Sequence, residues 1–394
     1  MLKTCSNINA NLVFGLGFWA ASLVLTCADS QPPSGDNADL ESAFWPLYRG
    51  DRELSGASEM EAPDALELRW SFQSGDEIKS SPVAGYGRVY FGSTDGVFYA
   101  LNARDGSIAW TFDAGDDIEA SALLLDSTVY VGTLSDDFLA LDALGGVEKW
   151  RFKAGDEIYG SANWVPSPDG KDKWILVGSY DFTLYALDSS SGEVVWSYET
   201  GNYINGAPAT DGARVVFGGC DEILHIVSAA DGRRIGGVET GSYIAASAAL
   251  AGGRAYLGHY GEKLIAVDLG RGRILWEYDG GGEAGPFFSS PAVTADRVVI
   301  GSRDRRLHCV DRNTGEAKWT FETRDDVDSS PVICGDRVLA CSNDGRLYLI
   351  DLETGEPITS YEIGAVITGS PAPAGGWIFV GAEDGRLYAF GESR

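Results

Sequence analysis

Histidine is scarce in this chain of 394 residues, and paired cysteines are missing. The three histidines lie far apart, so their spacing builds no metal site. No Cys-x-x-Cys motif occurs among the six cysteines. Cys334 and Cys341 are near neighbours, but a hairpin centred on residues 335–336 pairs Cys334 with Arg337 instead. We therefore expect small buried thiols rather than a disulfide.

Basic residues are also few. The chain has 30 Lys and Arg against 58 Asp and Glu, which gives a formal net charge of −28 at pH 7. Such a charge repels nucleic-acid phosphates and anionic lipid headgroups. We expect no nucleic-acid partner, and contact with a membrane only through an N-terminal lipid anchor. A protein partner with a neutral or basic surface fits this charge.

Long apolar runs are absent except at the N-terminus. The run over residues 12–25 is short for a membrane span and typical of a signal-peptide core. The sequence VLTC, which ends at Cys27, resembles a lipoprotein box with Cys27 as the acylated residue, and cleavage after Ala28 is the alternative. We predict a signal peptide over residues 1–27 and an exported protein. If lipidated, it would lie on the periplasmic face of the outer membrane; otherwise it would be periplasmic or secreted.

Glycine, by contrast, is abundant and recurs in a repeated pattern. Eight segments of about 40 residues align on their first apolar residue. These first residues are Ile78, Ile118, Ile158, Ile204, Ile244, Phe288, Val327 and Ile367. Each segment is predicted to form four short strands joined by glycine turns, and its middle strands are almost continuously apolar, as in a sheet covered on both faces. Such a repeat is typical of a propeller blade.

The eighth segment stops after its third strand, and the missing strand lies at the other end of the chain. The sequence LELRWSFQSG, residues 66–75, matches the fourth-strand pattern GSIAWTFDAG of the first repeat. Pairing the two termini closes the ring and leaves no free sheet edge. We predict an all-β fold, a single eight-bladed β-propeller over residues 66–391, after a linker and lead-in segment over residues 28–65. An open β-solenoid is the alternative.

The repeats also serve as internal controls, because a residue type that recurs at one position is structural. A tryptophan recurs in the fourth strand, where we expect packing on the adjacent blade. These residues are Trp70, Trp110, Trp150, Trp196, Trp276 and Trp319. His225 and His308 replace a recurring tyrosine, which favours an aromatic packing role, and His259 fills a recurring serine position. With no Gly-x-Ser-x-Gly elbow either, the sequence predicts no catalytic or metal-binding residues.

The loops that precede the blades carry acidic and aromatic side chains that the repeat pattern does not require. Several carry acidic pairs, and tyrosines lie in or beside others. The residues are Asp76, Glu77, Asp116, Asp117, Asp156, Glu157, Tyr159, Tyr203, Tyr243, Asp325 and Asp326. Because equivalent loops emerge on one face of a propeller, we predict an acidic arc with tyrosine anchors that docks a basic or mixed partner. Ordinary solvation of exposed loops is the alternative.

The pattern SSPV…DRVYxGSxDGxLYALDxxTGxxxW resembles the PQQ-like repeat. Eight such blades behind an export signal are similar to the BamB family of outer-membrane assembly lipoproteins and to related exported bacterial propellers. The resemblance implies a non-enzymatic scaffold that docks envelope proteins, including outer-membrane assembly machinery. Quinoprotein dehydrogenases share the pattern but carry an adjacent Cys-Cys pair that this sequence lacks, so we expect no PQQ or other cofactor. Small-molecule or glycan binding in the central funnel and PQQ-dependent catalysis are the alternatives.

Overall fold

The computed structural model describes residues 38–282 and 284–391. These residues form eight sheets, arranged as the blades of a ring, after one short helix, α1 (Ala38–Ser42). The chain is therefore an eight-bladed β-propeller, as the repeat predicts. Cys27 and the rest of the predicted signal peptide lie outside the described residues.

Each blade contains four antiparallel strands, and the first strand of each lies nearest the ring axis. Two strands precede the first complete blade, β1 (Ala57–Ser58) and β2 (Glu67–Gln73). Blade 1 contains β3 (Val83–Gly85), β4 (Arg88–Gly92), β5 (Val97–Asn102) and β6 (Ile108–Asp113), and blade 2 contains β7 (Leu123–Leu125), β8 (Thr128–Gly132), β9 (Asp137–Asp142) and β10 (Glu148–Lys153). Blade 3 contains β11 (Asn163–Pro166), β12 (Lys173–Gly178), β13 (Thr183–Asp188) and β14 (Val194–Glu199), and blade 4 contains β15 (Ala209–Thr210), β16 (Arg214–Gly218), β17 (Ile223–Ser228) and β18 (Arg234–Glu239).

The remaining strands follow the same order. Blade 5 contains β19 (Ala249–Ala251), β20 (Arg254–His259), β21 (Lys263–Asp268) and β22 (Arg273–Tyr278), and blade 6 contains β23 (Ala292–Val293), β24 (Arg297–Ser302), β25 (Arg306–Asp311) and β26 (Ala317–Glu322). Blade 7 contains β27 (Val332–Cys334), β28 (Arg337–Ser342), β29 (Arg346–Asp351) and β30 (Pro357–Glu362). Blade 8 contains β31 (Ala372–Ala374), β32 (Trp377–Gly381) and β33 (Arg386–Gly391), together with β2. In blade 7, β1 adds a short parallel strand beside β27.

The two ends of the chain close the ring. Strand β2 pairs antiparallel with β33, with Trp70 opposite Ala389, and completes the eighth blade. The inner edges of blades 8 and 1 are joined by a hydrogen bond from Ser370 N to Ser81 Oγ (2.8 Å). The split blade predicted from residues 66–75 is therefore confirmed.

The recurring tryptophans pack on the next blade, as predicted. Trp110 Nε1 donates to Ala143 O (3.0 Å), and its ring covers Gly146 so closely that a Cβ there would come within 2.6 Å. Gly146 also has a φ of 68°, so both its conformation and the ring above it require glycine. The same bond to a carbonyl is made by Trp70, Trp150, Trp276 and Trp319. Trp196 packs likewise on Gly232, but its Nε1 has no acceptor among the described residues.

Tyrosines and histidines that share a position in the third strand hold the preceding turn. Tyr99 OH donates to Asp95 Oδ2 (2.6 Å), and His225 Nε2 lies 2.8 Å from Asp221 Oδ2. His308 makes the equivalent contact with its own turn. The aromatic packing role predicted for these two histidines is confirmed, since each also meets a neighbouring aromatic ring.

The alignment of the sixth repeat on Phe288 is wrong by one residue. Phe287 is 1% exposed, and its side chain lies against Gly258 as Ile78 lies against Gly381 of the preceding blade. Phe287 therefore holds the first position of the repeat, and Phe288 lies at the mouth of the ring. Two adjacent phenylalanines after a lengthened loop left the sequence register ambiguous.

Residues 44–58, which we call the strap, run around the inside of the ring. Backbone bonds of 2.6 to 2.9 Å join the strap to inner residues of six blades through the pairs Trp45–Ala84, Pro46–Leu124, Arg52–Thr210, Glu53–Leu250, Ser55–Val293 and Gly56–Ile333. Arg52 O also accepts Asn163 Nδ2 of blade 3 (2.9 Å). The strap thus contacts seven blades in turn. The prediction of a linker and lead-in segment over residues 28–65 did not include these contacts.

Candidate functional site

The loops that precede the blades all reach one face of the ring, which we call the loop face. In every blade, the turn between the second and third strands donates a backbone N–H to the preceding loop. Thr94 N donates to Glu77 O (3.0 Å) and Tyr180 N donates to Glu157 O (2.9 Å), and the same bond recurs in the other six blades. The candidate docking residues therefore share one surface.

The first residue of each acidic pair shapes its own loop. Asp76 Oδ1 accepts the backbone N–H of Glu77 (2.9 Å). The same bond recurs at Asp116, Asp156, Asp325 and Asn202. Asp and Asn share this use of a side-chain oxygen to hold a turn. Four of the candidate docking residues thus have a local structural role that the sequence interpretation did not include.

The second residues of the pairs place further carboxylates at the loop face, although that of Glu77 lies 3.3 Å from Lys79 Nζ. Glu77, Asp117 and Glu157 lie half-buried in three consecutive loops, which we call the acidic arc, and Asp326 lies separately before blade 7. Burial, with the nearby carboxylates of Asp328 and Asp325, raises the pKa of Asp326. Negative charge is therefore crowded at two places on the loop face.

Four aromatic side chains, which we call the aromatic row, adjoin the acidic arc. Tyr180 lies between Tyr159 and Tyr203, with ring centroids 4.6 Å apart on each side. Phe182 meets Tyr203 edge-on at 5.2 Å. Phe182 and Tyr203 are 39% and 41% exposed, so the row presents apolar area to solvent.

Further aromatic residues lie on the next two blades. Tyr243 and Tyr260 are 49% and 41% exposed, and Tyr260 meets Phe288 edge-on at 5.6 Å. The guanidinium of Arg303 lies 4.0 Å above the ring of Phe288. Among the described residues, Tyr243 makes no ring contact with the aromatic row. The structure thus brings two of the three predicted tyrosines, Tyr159 and Tyr203, into one group.

A cavity of about 240 Å³ opens at the centre of the loop face. Each blade contributes one residue to its mouth, namely Lys79, Glu119, Tyr159, Asn205, Ala245, Phe288, Asp328 and Thr368. Tyr48 of the strap forms its floor, where the hydroxyl lies 3.1 Å from Ser290 Oγ and 2.8 Å from Ser330 Oγ. The strap therefore closes the ring axis beneath this cavity.

Below the mouth, serine hydroxyls form a belt that links the blades. Ser81 N donates to Ser121 Oγ (2.9 Å) of the next blade. The same contact joins Ser247 to Ser290, Ser290 to Ser330, Ser330 to Ser370 and Ser370 to Ser81. This bond between the segments that precede the inner strands explains why serine recurs in the repeat. Each hydroxyl that accepts such an N–H can still donate its own proton into the cavity.

The charged residues at the mouth are paired with one another. Lys79 Nζ lies 3.3 Å from Glu77 and 3.1 Å from Glu119. Burial alone would lower the pKa of Lys79, but its bonds to these two carboxylates outweigh burial and raise it. Arg303 binds Asp328 through two nitrogens at 2.8 and 3.0 Å. The mouth is thus polar, with little unpaired charge.

The remaining reactive side chains are dispersed. Within residues 38–282 and 284–391, no group of three or more His, Cys, Asp and Glu side chains could hold a metal ion. Cys334 pairs with Arg337 across its hairpin, and the four described cysteines are free thiols. Cys309, Cys334 and Cys341 are buried as predicted, whereas Cys220 is only partly buried. Burial raises the pKa of Cys309 and of Cys334 to about 12, which disfavours the nucleophilic thiolate. No helix in the described part of the chain is long and apolar enough to cross a membrane.

The cavity does not match pyrroloquinoline quinone, a planar cofactor with three carboxylates. Glu119 and Asp328 of the mouth would repel such an anion, and Lys79 and Arg303 are already paired. The volume of about 240 Å³ also lies below the range of about 300–1,000 Å³ usual for sites of drug-sized ligands. The residues of this cavity therefore do not fit the cofactor.

Together, the repeat, the tryptophan contacts and the closed ring define a β-propeller of the PQQ-like repeat class. The family described as "Beta-alanine-activating enzyme, beta-propeller" matches residues 86–392, which is most of the chain. The chain belongs to this propeller family. No curated protein sequence matches it significantly.

Solved structures share the ring at low sequence identity. BamB from Moraxella catarrhalis is 20% identical, with a TM-score of 0.70 over 83% of this chain and 100% of BamB. Quinohemoprotein alcohol dehydrogenase from Comamonas testosteroni is 15% identical, with a TM-score of 0.75 over 89% and 81% of the two chains. The computationally designed Ika8 protein is also 15% identical, with a TM-score of 0.70 over 81% and 98%. Because these proteins differ so widely, the likeness shows the fold alone.

Sequence reasoning missed several aromatic residues of the loop face. Tyr180, Phe182, Tyr260 and Phe288 come from turns and mouth positions rather than from the acidic loops. A signal was present for Tyr180, because Thr94 occupies the equivalent position in blade 1. The departure from the repeat marks such residues, but only the ring geometry places Tyr180 and Phe182 beside Tyr159 and Tyr203.

Proposed function

We propose that this protein is a non-enzymatic scaffold of the bacterial cell envelope whose loop face docks a protein partner. The aromatic row is the observation that carries this proposal. Two of its rings, Phe182 and Tyr203, lie exposed on a surface otherwise rich in polar and acidic side chains. Tyrosine gives a large contact area at a small cost in conformational entropy, and it is enriched where proteins bind one another.

The charge around the row defines the kind of partner. Glu77, Asp117 and Glu157 lie in the acidic arc beside the aromatic row, and the whole chain has a net charge of −28. A basic or mixed surface would be steered toward this face, and the rings would then supply most of the affinity. The partner we propose therefore presents basic side chains around an apolar centre.

The proposed cellular location rests on the N-terminal sequence. A signal peptide over residues 1–27 would export the chain, and acylation of Cys27 would hold it at the periplasmic face of the outer membrane. The fold likeness to BamB supports outer-membrane assembly machinery as the specific class of partner. Without acylation, the same docking role would be performed in the periplasm or outside the cell.

A pull-down from an envelope extract of the source bacterium tests the docking role. We would immobilise the protein and the triple variant Asp117→Lys, Glu157→Lys, Tyr203→Ala, and quantify the captured proteins by mass spectrometry. We expect the triple variant to capture about tenfold less of the partner, or less still. Such a change corresponds to a loss of binding free energy of about 1.4 kcal/mol or more, as is found at binding hot spots. Asp116 and Asp156 stay unchanged because they hold the loops.

The matched control carries equal charge reversal on the other side of the ring. Glu193 and Glu356 lie in exposed turns between third and fourth strands, away from the loop face. The variant Glu193→Lys, Glu356→Lys should capture the partner as the native chain does. If the loop-face variant also retains the complete set of captured proteins, the docking proposal is wrong.

The serine belt favours a second candidate function, the binding of a small neutral ligand in the central cavity. Hydroxyl groups and paired charges suit a polyhydroxylated ligand such as one sugar unit of a glycan. Saturation-transfer NMR with a panel of monosaccharides would detect such binding. We expect Ser121→Val to abolish it while the loop-face triple variant retains it, and the absence of saturation transfer to any sugar would reject this candidate.

A further inference from the structure

Arg49 of the strap has the least exposed charged side chain among the described residues, at 1% of its surface. Its Cζ lies 5.9 Å from the ring centre of Tyr48, the residue that forms the floor of the central cavity. The guanidinium therefore lies inside the ring, where water does not screen its charge. Burial lowers the pKa of Arg49 to about 10, so the group is still cationic at neutral pH.

The protein satisfies only part of this guanidinium. Arg49 Nη2 donates to Pro291 O (3.0 Å), but Nε and Nη1 have no acceptor among the described residues. The nearest acidic neighbour in sequence, Asp51, is engaged elsewhere, since its carboxylate accepts Ser55 N (3.1 Å) and Ser55 Oγ. The buried cation therefore forms no ion pair among the described residues and lacks a full set of hydrogen bonds, although the charge of Asp51 still favours its cationic form.

The backbone is shaped to hold the side chain in this place. Arg49 has a φ of 68°, an unfavourable conformation for a residue with a Cβ. Gly56, with a φ of 63°, lies so close that a Cβ there would come within 1.9 Å of Nη2. Arg49 O also accepts Gly56 N (3.1 Å), which closes the strap into a compact loop. Strain and close packing that fix an unpaired charge point to a ligand rather than to stability.

We propose that Arg49 binds a small inorganic anion, of the size of chloride, inside the ring beneath Tyr48. Such an ion would accept N–H bonds from Nε and Nη1 and would neutralise the buried charge. The 1% exposure of the side chain favours the smallest anions. Carboxylates at the protein surface oppose the ion only weakly, because salt screens them over about 8–10 Å. Since the strap contacts seven blades, a bound anion would stabilise the closed ring as a whole.

Thermal unfolding at constant ionic strength tests this site. Chloride would replace gluconate stepwise, from about 1 to about 200 mM, in the native protein. We expect the melting temperature to rise with chloride along a saturating curve by about 1–3 °C, the size of shift that ligand linkage gives a chain of this length. Arg49→Met keeps the apolar stem but removes the donors, so its melting temperature should not depend on chloride.

Arg52→Met is the matched control, because Arg52 belongs to the same strap but lies over the ring of Trp164 at 4.5 Å. This variant should retain the full chloride dependence. Crystals grown in bromide should also show an anomalous peak within hydrogen-bond distance of Arg49 Nε or Nη1. A melting temperature of the native protein that ignores the chloride-to-gluconate ratio overturns the proposal, as does an anomalous map without this peak.

Discussion

The contacts between blades and the surface of the loop face differ in how far the eight repeats agree. Between blades, the same bond recurs, such as Trp110 Nε1 to Ala143 O and Trp319 Nε1 to Leu352 O. On the loop face, one backbone position holds Thr94 in blade 1 and Tyr180 in blade 3, although both donate the same N–H. The repeat is therefore kept where it closes the ring and lost where only the outer surface is affected.

The strap belongs to neither region, because it has no copy in the chain. Most of its bonds to inner strands join backbone atoms, as in Leu250 N to Glu53 O (2.7 Å). A contact that occurs once but touches seven blades should matter more than any one member of a repeated set. The comparison thus ranks the expected losses of stability, from the closing strand to the strap and then to single repeated contacts.

The largest effect should come from removing the closing strand. Deletion of residues 66–75 removes β2 and exposes the edge of β33, so the ring opens. We expect the melting temperature to fall by at least about 10 °C, because several kcal/mol of strand pairing and core packing are lost. Differential scanning calorimetry measures this change.

The control for this deletion is an exposed loop. Lys171 and Asp169 have side chains 78% and 54% exposed, in the loop that joins β11 and β12. Shortening this loop should change the melting temperature by no more than a few degrees. Similar melting temperatures for both variants would contradict the role given to the closing strand.

The strap should give the next largest effect. Leu54 is 1% exposed and packs in the core on the inner side of the ring. Leu54→Ala should lower the free energy of unfolding by about 2–4 kcal/mol, the usual result of a cavity left by leucine. Urea unfolding measures the loss, with Leu144→Ala as the control, since Leu144 is 53% exposed and should cost less than about 1 kcal/mol. Equal losses would show that the strap only lies on the ring.

The sequence predicted the repeated region well because each position could be checked against seven others. The tryptophan contact, the His225 position and the split blade are all visible as a recurrence or as its interruption. The strap gave no such signal, since Pro46 and Glu53 bond through backbone atoms that every residue has. Their side chains do not reveal those bonds.

The candidate site was predictable only in part for a related reason. The loops that carry Glu77 and Tyr203 could be assigned to one face because they occupy the same place in the repeat. Tyr180 comes from a different place, and its ring contact with Tyr203 depends on how adjacent blades are rotated about the ring axis. The Asx turn of Asp76 was also missed, because a carboxylate has the same appearance in sequence whether it holds a turn or faces a partner.

A smaller effect should separate two members of the repeated tryptophan set. Trp276 Nε1 donates to Arg312 O (3.1 Å), whereas Trp196 Nε1 has no acceptor among the described residues. Substitution of either by phenylalanine removes similar ring area, but only Trp276→Phe also breaks a hydrogen bond. We expect Trp276→Phe to cost about 1 kcal/mol more than Trp196→Phe in urea unfolding. An equal cost would mean that the bond adds nothing to blade packing.

The smallest effect concerns two kinds of aromatic pair within the repeat. Where the third strand carries tyrosine, the ring that meets it from the preceding blade is in most cases phenylalanine, as in Phe72–Tyr99, Phe152–Tyr185 and Phe321–Tyr348. Where it carries histidine, that neighbour is a tyrosine, Tyr198 for His225 (3.1 Å to Nδ1) and Tyr278 for His308 (3.0 Å). The added hydroxyl gives the second imidazole nitrogen a partner. The double variant His225→Tyr, Tyr198→Phe therefore restores the commoner pair.

This exchange should change how stability depends on pH. Burial lowers the pKa of His225 below its ordinary value of 6.5, although Asp221 opposes the shift. Between the lowered pKa and about pH 6.5, the unfolded chain binds a proton that the folded chain does not, so the free energy of unfolding falls as the pH falls. The double variant should show a shallower fall than the native protein, by less than about 1.4 kcal/mol per pH unit. Urea unfolding between pH 7 and pH 5.5 measures the slope, and Tyr198→Phe alone, which keeps the histidine, should retain most of it. An unchanged slope in the double variant would mean that His225 takes no part in this pH dependence.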